Sequence, residues 1–227
     1  MVQIKSNKGN WLDLGISLAV ANRSDHQAWF EEQMFLPDFL SVAYDNASIS
    51  DKPLVAETKL LLEMKPEVRS KIDSDSSLLS PFALFAFLLL IQGALFLRYK
   101  KGYNSENVIK FFESAILLVT GIAGLIIYFL NFASLHPSVD HNVNCLWLLP
   151  TNAIFAALIW VKSVKKFNRI YFFIIFALII AYALVNFGFI HQYFNPAFAL
   201  IILMQTLICY HYCVGKNSEN KNEEKLI

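Results

Sequence analysis

The chain has 227 residues, of which 56% are hydrophobic and 16% are charged, and its formal net charge is +1. Soluble domains usually carry about a quarter charged residues, so this composition argues against an ordinary soluble domain. The near-neutral charge argues against nucleic acid or an acidic substrate as a partner. The three cysteines form no CxxC pair, which predicts neither a disulfide framework nor a zinc site.

Residues 1–78 are predicted to form a polar module that is too short to hold a large core of its own. Its basic start is not followed by the apolar stretch of a secretory signal peptide, so no leader is expected. The sequence looks helical around Trp29 to Phe35 and is broken at Pro37. We expect Phe35 and Leu36 to dock this module onto a partner or onto the membrane face.

Five apolar segments follow and predict an all-α integral membrane protein with five transmembrane helices over residues 79–215. From Ser114 to Val161 the only formal charge is Asp140, whereas a soluble helical hairpin would show a charged stripe. Crossing a bilayer takes about 20 apolar residues. The segments are about 80–97, 114–132 and 146–161, and two within 170–215.

Several residues in these segments carry individual predictions. Ser80 and Pro81 form a typical helix cap and first turn, and Gly121 and Gly124 are small residues that let helices approach closely. Glu113 is expected to be solvated beside a cytoplasmic end. Three amides are expected to hydrogen-bond between helices: Gln92, Asn186 and Gln205.

The distribution of basic residues predicts how the chain is oriented. Residues 98–110 and 162–169 and the tail of residues 216–227 contain Lys or Arg, whereas residues 134–149 and 186–195 contain none. By the positive-inside rule, the basic links and the C-terminus are cytoplasmic. The N-terminal module is then extracytoplasmic, the tail is a disordered cytoplasmic segment, and the protein lies in a bacterial inner membrane.

The two neutral links contain the polar residues that could meet a lipid or another substrate. They are His136, Asp140, His141, Asn142, Asn144, Trp147, His191 and Asn195. Such a group could bind a metal, relay a proton or orient a head group, but its spacing matches no established zinc motif. The simpler interpretation is that hydrogen bonds tie the links down at the head groups. A Cys145/His136 nucleophile pair is an alternative without a supporting motif. We therefore predict no catalytic residue, no metal ligand and no cofactor.

One of these links resembles a known family. The segment HPSVDHNVNCLWLLP, residues 136–150, is similar to the loop pattern HP…N.N.LW.NP of Lnb-type lipoprotein N-acyltransferase proteins of Bacteroidetes-like bacteria, with Leu149 where that pattern has Asn. Upstream, FLPD at residues 35–38 resembles the end of the family's periplasmic domain. The resemblance covers about residues 11–213 and implies a periplasmic domain followed by a five-helix membrane unit.

The resemblance also implies that catalytic residues lie outside this chain. The family's expected His, in an FGH-like motif, has no counterpart here, and the single Asn-Cys, Asn144-Cys145, lies in the membrane-domain link. The chain then corresponds to the C-terminal part of the architecture, as a truncated gene, a fragment or a split subunit, with residues 1–78 a remnant of the periplasmic domain.

The implied function is to anchor an acyltransferase system and present lipid at the outer face. Its partners would be membrane lipids, and lipoproteins or a separate periplasmic catalytic domain. The alternative is a non-enzymatic membrane anchor or docking protein for a periplasmic partner. A small transporter is the weakest hypothesis, because the spans show no buried charge pairs.

Overall fold

A computed structural model describes residues 10–21, 37–59, 80–103, 105–135 and 138–214. Residues 37–59 belong to one compact unit, and the other described residues belong to a second, larger one. Residues 10–21 therefore group with the long apolar helices. The predicted module of residues 1–78, the disordered tail and their boundaries stay predictions, and the docking residues Phe35 and Leu36 lie outside the described residues.

The described part of the chain is mostly helical. Its helices are α1 Trp11–Ala19, α2 Pro37–Asp45, α3 Pro81–Lys100, α4 Glu106–Ala133, α5 Thr151–Leu158, α6 Lys165–Val185 and α7 Pro196–Val214. Short 3₁₀ turns lie at Val143–Leu146 and Lys162–Val164, and a π-helical turn at Asn186–Ile190 continues α6.

The smaller unit contains α2 and one β-hairpin. Strands β1 Ser48–Ile49 and β2 Lys52–Pro53 pair antiparallel, with Ser48 opposite Pro53. Ser50 and Asp51 both have positive φ, 51° and 64°. Two such residues in a two-residue loop are typical of the type I′ turn, whose twist matches that of a hairpin.

Side-chain caps define where two helices of the larger unit begin. Asn10 Oδ1 accepts a hydrogen bond from the Asp13 amide at 2.8 Å, and α1 follows. Ser80 Oγ accepts from the Ala83 amide at 3.2 Å, and Pro81 is the first residue of α3. Both caps satisfy backbone donors that lack an intrahelical partner. The predicted start at Ser80-Pro81 is confirmed.

Four helices are long and apolar enough to cross a membrane. They are Pro81–Lys100, Glu106–Ala133, Lys162–Ile190 and Pro196–Val214. These bounds fall on four of the five predicted segments, so the chain is a multi-pass membrane protein.

The predicted third span, about 146–161, differs from the other four. Its α-helix, α5, has only eight residues, Thr151–Leu158, and is preceded by the 3₁₀ turn Val143–Leu146. Eight residues of α-helix rise about 12 Å, well short of the roughly 30 Å hydrocarbon core. Pro150 has no amide hydrogen and lies between this 3₁₀ turn and the first residue of α5. The count of five spans therefore stays a prediction.

Helix α4 packs closely against α5 and against the residues just before it at the two glycines predicted to permit it. A Cβ atom at Gly121 would lie 2.2 Å from the Ala153 amide nitrogen, and one at Gly124 would lie 2.6 Å from the Leu148 carbonyl oxygen. Both contacts involve backbone, so with any larger residue at these two positions α4 could not lie this close to α5 and the residues just before it. The prediction is confirmed.

The amides predicted to link helices behave differently from one another. Gln92 Nε2 donates to the Met204 carbonyl oxygen at 3.1 Å and joins α3 to α7. The side-chain amides of Asn186 and Gln205 are buried without a hydrogen-bond partner among the described residues. The prediction is therefore right for Gln92 and wrong for the other two.

The prediction that Glu113 is solvated is wrong. Glu113 is 1% exposed, and His211 Nδ1 donates to its Oε1 and Oε2 at 2.8 and 3.0 Å. The rings of Tyr99 and Phe96 cover the same imidazole, with centroids 4.9 and 5.8 Å away. A buried acid–histidine pair therefore joins α4 to α7, which also corrects the expectation that the spans lack such pairs.

Candidate functional site at the polar end of the bundle

The structure buries four of the eight predicted site residues at one end of the helical unit: Asn142, Asn144, Trp147 and Asn195. The end is built from residues 138–150, residues 186–196 and helix α1, and contains no Lys or Arg among its described residues. The polar and aromatic side chains buried there are those of Asp13, Ser17, Asn142, Asn144, Trp147, Asn186, Gln192 and Asn195. This dense packing of polar groups requires nearly every one of them to find a hydrogen-bond partner.

Asn142 is the centre of this polar cluster. Its Nδ2 donates to the carbonyl oxygens of Leu18 and Ala19 at 2.8 and 3.1 Å. Its Oδ1 accepts from the Asn144 amide at 3.0 Å and from Gln192 Nε2 at 3.1 Å. One side chain thus ties together α1 and both neutral links.

Asn144 and Trp147 extend the cluster into the core. Asn144 Nδ2 donates to the Leu18 carbonyl oxygen at 3.2 Å, and its Oδ1 accepts from Trp147 Nε1 at 3.0 Å. The Trp147 indole is fully buried, with ring centroids 6.2 Å from Tyr182 and 5.7 Å from Phe198. Because a buried indole N–H needs an acceptor, Asn144 fixes the orientation of the ring.

The second neutral link is held by Gln192 and Asn195. Gln192 Oε1 accepts from the Val143 amide, and its Nε2 donates to the Val20 carbonyl oxygen, each at 3.1 Å. Asn195 Nδ2 donates to Asp13 Oδ2 at 3.1 Å, and Asn195 Oδ1 accepts from the Ala197 amide at the start of α7. The amides of the two links therefore converge on α1.

The predicted histidines do not join this cluster. His141 forms an ion-pair contact with Asp140 at 2.9 Å, and its side chain is 89% exposed. His191 is also exposed, and both histidines have positive φ, 60° and 58°. His136 lies outside the described residues. Within the described ranges, no group of three His, Cys, Asp or Glu side chains could hold a metal.

Cys145 is poorly suited to nucleophilic chemistry. The residue is half-buried in the 3₁₀ turn of residues 143–146, and its carbonyl oxygen accepts a hydrogen bond from the Tyr128 hydroxyl at 3.2 Å. Burial raises the pKa of its thiol to about 11. At neutral pH this thiol is therefore almost wholly protonated, whereas nucleophilic attack requires the thiolate.

An apolar cavity of about 340 Å³ lies directly beneath the polar cluster. Its lining is contributed by α1, α3, α4 and α7, together with Trp147 and Leu148 of the first neutral link. The polar side-chain groups in the lining are the indole N–H groups of Trp11 and Trp147 and the hydroxyl of Thr120. The Thr120 hydroxyl donates to the Ile116 carbonyl oxygen at 2.9 Å. The cavity can therefore receive an apolar chain but offers nothing to a charged group.

Sequence reasoning did not find the contribution of α1. Asp13 and Ser17 were not among the predicted residues, although both are buried at the site and the Ser17 hydroxyl donates to the Asp13 carbonyl oxygen. The only available signal was the partial apolar alternation around Trp11, Leu14 and Leu18, the three α1 side chains that line the cavity.

Comparison with protein families identifies this unit. A family model described as the Lnb transmembrane domain matches residues 73–218, well over half of the chain. Comparison with curated proteins and with solved structures finds no match. The family match spans the four long helices and both neutral links, although not α1, and it confirms the resemblance carried by residues 136–150. The chain therefore belongs to the Lnb transmembrane domain family.

Proposed function

We propose that this protein is the membrane domain of an Lnb-like lipoprotein N-acyltransferase system. It anchors the system in the bacterial inner membrane and presents a lipid acyl chain at the outer face, while another domain or protein supplies the catalytic residues. The observation that carries this proposal is the apolar cavity beneath the polar cluster.

The cavity has the chemistry that an acyl chain needs. Its volume, about 340 Å³, falls within the roughly 300–1,000 Å³ of small-molecule sites. Apart from indole N–H groups, the one polar side-chain group in its wall is already hydrogen-bonded, so a methylene chain would leave no buried group unsatisfied. Val119 lines the cavity and is 64% exposed, which places an opening on the membrane side of the bundle.

The polar cluster supports presentation rather than chemistry. Its side-chain amides donate hydrogen bonds to the carbonyl oxygens at the end of α1 and to one another. Such a network is rigid because each member is held by several partners. A rigid polar cluster next to an apolar cavity would keep the head group of a lipid at the polar end of the bundle while its acyl chain lies in the cavity.

The path of residues 143–164 supports a fifth crossing. Trp147 packs against Tyr182 in the polar end, whereas Trp160 Nε1 donates to Ser114 Oγ at 2.9 Å, near the start of α4. The segment therefore runs alongside α4 from one end of the bundle to the other, although its α-helix is short. With five crossings, the positive-inside rule would put the basic links in the cytoplasm and the N-terminus outside.

Photocrosslinking tests whether the cavity holds a chain. The full protein is reconstituted in nanodiscs with a phospholipid that carries a diazirine on its acyl chain, and adducts are mapped by mass spectrometry. We expect adducts on Ile116 inside the cavity and on Phe129, which is 65% exposed on the lipid-facing surface. Ala123→Phe should fill the cavity and remove the Ile116 adduct while the Phe129 adduct stays.

A matched variant makes that result interpretable. Ala157→Phe adds the same ring at an exposed position that does not line the cavity, so it should keep both adducts. Loss of the Ile116 adduct in both variants, or in neither, would contradict an acyl chain in the cavity.

A complementation assay tests the system-level part of the proposal. The protein is produced together with an Lnb-type catalytic domain in a strain deficient in lipoprotein N-acylation. We expect acylation to return, to fall with Ala123→Phe and Asn144→Ala at unchanged protein level, and to persist with Ala157→Phe. The prediction that His136→Ala also lowers it can be checked in the same strain. Full acylation by every variant would refute the presentation role.

A docking protein is the second candidate, and one observation favours it. The smaller unit exposes apolar side chains, among them Val42 at 60% and Ile49 at 65%. Where exposed apolar side chains form one contiguous patch, the patch is typical of an interaction surface. Co-purification with an extracytoplasmic protein that is lost with Val42→Asp, or with the double change Phe35→Ala and Leu36→Ala, would favour this candidate. Retention in both variants would speak against it.

A further inference from the structure

A second cavity, of about 230 Å³, lies at the opposite, basic end of the bundle. Residues from α3, α4, α6 and α7 line it, so it is formed where the four long helices meet. Nothing in the proposed acyl-chain role uses this end.

The lining of this basic cavity carries a clear excess of positive charge. Lys110, Lys165, Lys166 and Arg169 contribute four cationic groups, against one carboxylate, Glu106. Lys110 Nζ lies 2.5 Å from Glu106 Oε1 and neutralises it. The deeper carboxylate, Glu113, is hydrogen-bonded to His211. Even with its charge counted, Lys165, Lys166 and Arg169 leave an excess of positive charge.

Asn168 provides a second, independent indication of a ligand. Its side chain lines the cavity and is 3% exposed, and its Nδ2 donates to the Leu158 carbonyl oxygen at 3.0 Å. Its Oδ1 is buried and has no hydrogen-bond partner among the described residues. Because buried acceptors nearly always find a donor, this oxygen is placed to accept a hydrogen bond from a bound molecule.

The start of helix α6 adds a third feature. Lys165 is its first residue, and no side chain caps this end. The backbone amides of a first helical turn and the helix dipole favour an anion. At this cavity the helix start lies among cationic side chains and beside the unpartnered Asn168 oxygen.

We propose that the basic cavity binds a phosphate ester that carries a free hydroxyl. Its phosphate accepts hydrogen bonds from Lys166, Arg169 and the start of α6, and its hydroxyl donates to Asn168 Oδ1. Two sources share this chemistry: the head group of phosphatidylglycerol in the membrane and a soluble glycerol phosphate. Basic pockets between membrane helices are known to hold anionic head groups.

Native mass spectrometry of the full chain in detergent tests this proposal with four probes. They are phosphatidylglycerol, phosphatidylethanol, which has the same charge but no hydroxyl, phosphatidylcholine, which has no net charge, and glycerol 3-phosphate. We expect saturable binding of phosphatidylglycerol, at least about fivefold tighter than phosphatidylethanol because the Asn168 hydrogen bond is absent from the latter. Phosphatidylcholine should bind weakest.

Paired variants distinguish a built site from general attraction to a basic surface. The double variant Lys166→Gln/Arg169→Gln should weaken phosphatidylglycerol binding about tenfold or more, because two charge-assisted hydrogen bonds are lost. The control Lys101→Gln/Lys162→Gln removes equal charge from exposed positions that do not line the cavity and should change binding less than about threefold. Lys162, Lys166 and Arg169 lie in or next to the first turns of α6, so the two double variants change neighbouring positions. Thermal unfolding verifies that both variant proteins are folded.

Each outcome of these experiments either supports or overturns the proposed phosphate-ester site. Binding of glycerol 3-phosphate with the same sensitivity to the cavity variant supports the site and assigns it to a soluble ester, whereas binding of the lipid alone assigns it to the membrane. The proposal is overturned if the two double variants weaken phosphatidylglycerol binding equally. It is also overturned if none of the four probes binds saturably. Equal binding of phosphatidylglycerol and phosphatidylethanol would overturn the role of Asn168.

Discussion

Replacing Gly121 by alanine is the sharpest test of how the bundle is packed. A Cβ atom there would lie 2.2 Å from the Ala153 nitrogen, 2.7 Å from its Cβ and 2.8 Å from its Cα. Two of these three atoms are backbone, so no change of side-chain rotamer relieves the overlap. Helices α4 and α5 would have to move apart.

The size of the effect follows from two opposing contributions. Adding a methylene-sized group to a well-packed interface costs about 1–3 kcal/mol. Alanine in place of glycine inside a helix gains up to about 1 kcal/mol. At Gly93, in α3, a new Cβ would meet nothing within 4 Å, so only the gain applies. We expect Gly121→Ala to lower the free energy of unfolding by about 1 kcal/mol, which is the cost less the gain. Gly93→Ala should leave the free energy of unfolding unchanged or slightly higher.

Equilibrium unfolding in mixed micelles of mild detergent and dodecyl sulfate, followed by circular dichroism, measures both variants against the unmodified protein. The two substitutions are chemically identical and both lie within membrane helices, so differences in expression or detergent binding largely cancel. If Gly121→Ala unfolded at the same dodecyl sulfate fraction as Gly93→Ala, the close approach of α4 and α5 would be wrong.

Two further predictions use the same unfolding assay. Asn142→Ala should lower the free energy of unfolding by about 2–3 kcal/mol, because it removes two donated and two accepted side-chain hydrogen bonds and leaves their partners buried. Asn142→Asp keeps the acceptor but sets a buried carboxylate oxygen against the carbonyl oxygens of Leu18 and Ala19, so it should cost at least as much as Asn142→Ala. A smaller loss would contradict the role given to Nδ2. Glu113→Ala leaves the buried His211 imidazole without its acceptor and should cost about 2 kcal/mol. Glu113→Gln retains a hydrogen-bonding oxygen and should cost less, whereas stability unchanged by Glu113→Ala would show that the pair is not buried.

The features predicted correctly from the sequence are those encoded by neighbouring residues. Ser80 and Pro81 define a helix start because a cap acts within one turn. The four long spans follow from uninterrupted apolar composition, and Gly121 and Gly124 follow from spacing on one helix face. In each case the determining residues lie within a few positions of one another.

The features that were missed depend on residues far apart in the chain. Glu113 is followed 98 positions later by His211, and no local pattern announces that the two meet. Its position beside a predicted cytoplasmic end made a solvated side chain the natural expectation. The third apolar segment was expected to be a regular helix, because hydropathy registers composition and not the interruption that Pro150 and the 3₁₀ turn impose.

The role of α1 shows why amides rather than cationic side chains donate to its last carbonyl groups. The last carbonyl groups of any helix lack intrahelical donors, and near a membrane they must be satisfied by protein. At the end of α1, the carbonyl oxygens of Leu18 and Ala19 and that of Val20, which follows, accept from the side chains of Asn142, Asn144 and Gln192. A primary amide donates to these oxygens and still offers an acceptor to its neighbour, whereas a lysine would bring a charge that this buried end could not solvate.

This arrangement couples the short helix to the cavity. The same segment that receives the amides carries Trp11, Leu14 and Leu18 into the cavity wall. Releasing α1 would therefore expose three backbone carbonyl groups and open one side of the apolar cavity in a single event. A change at Asn142, which touches no ligand in the proposed mechanism, should for that reason weaken acyl-chain retention together with stability, while Gly121→Ala should lower stability through α5 without detaching α1.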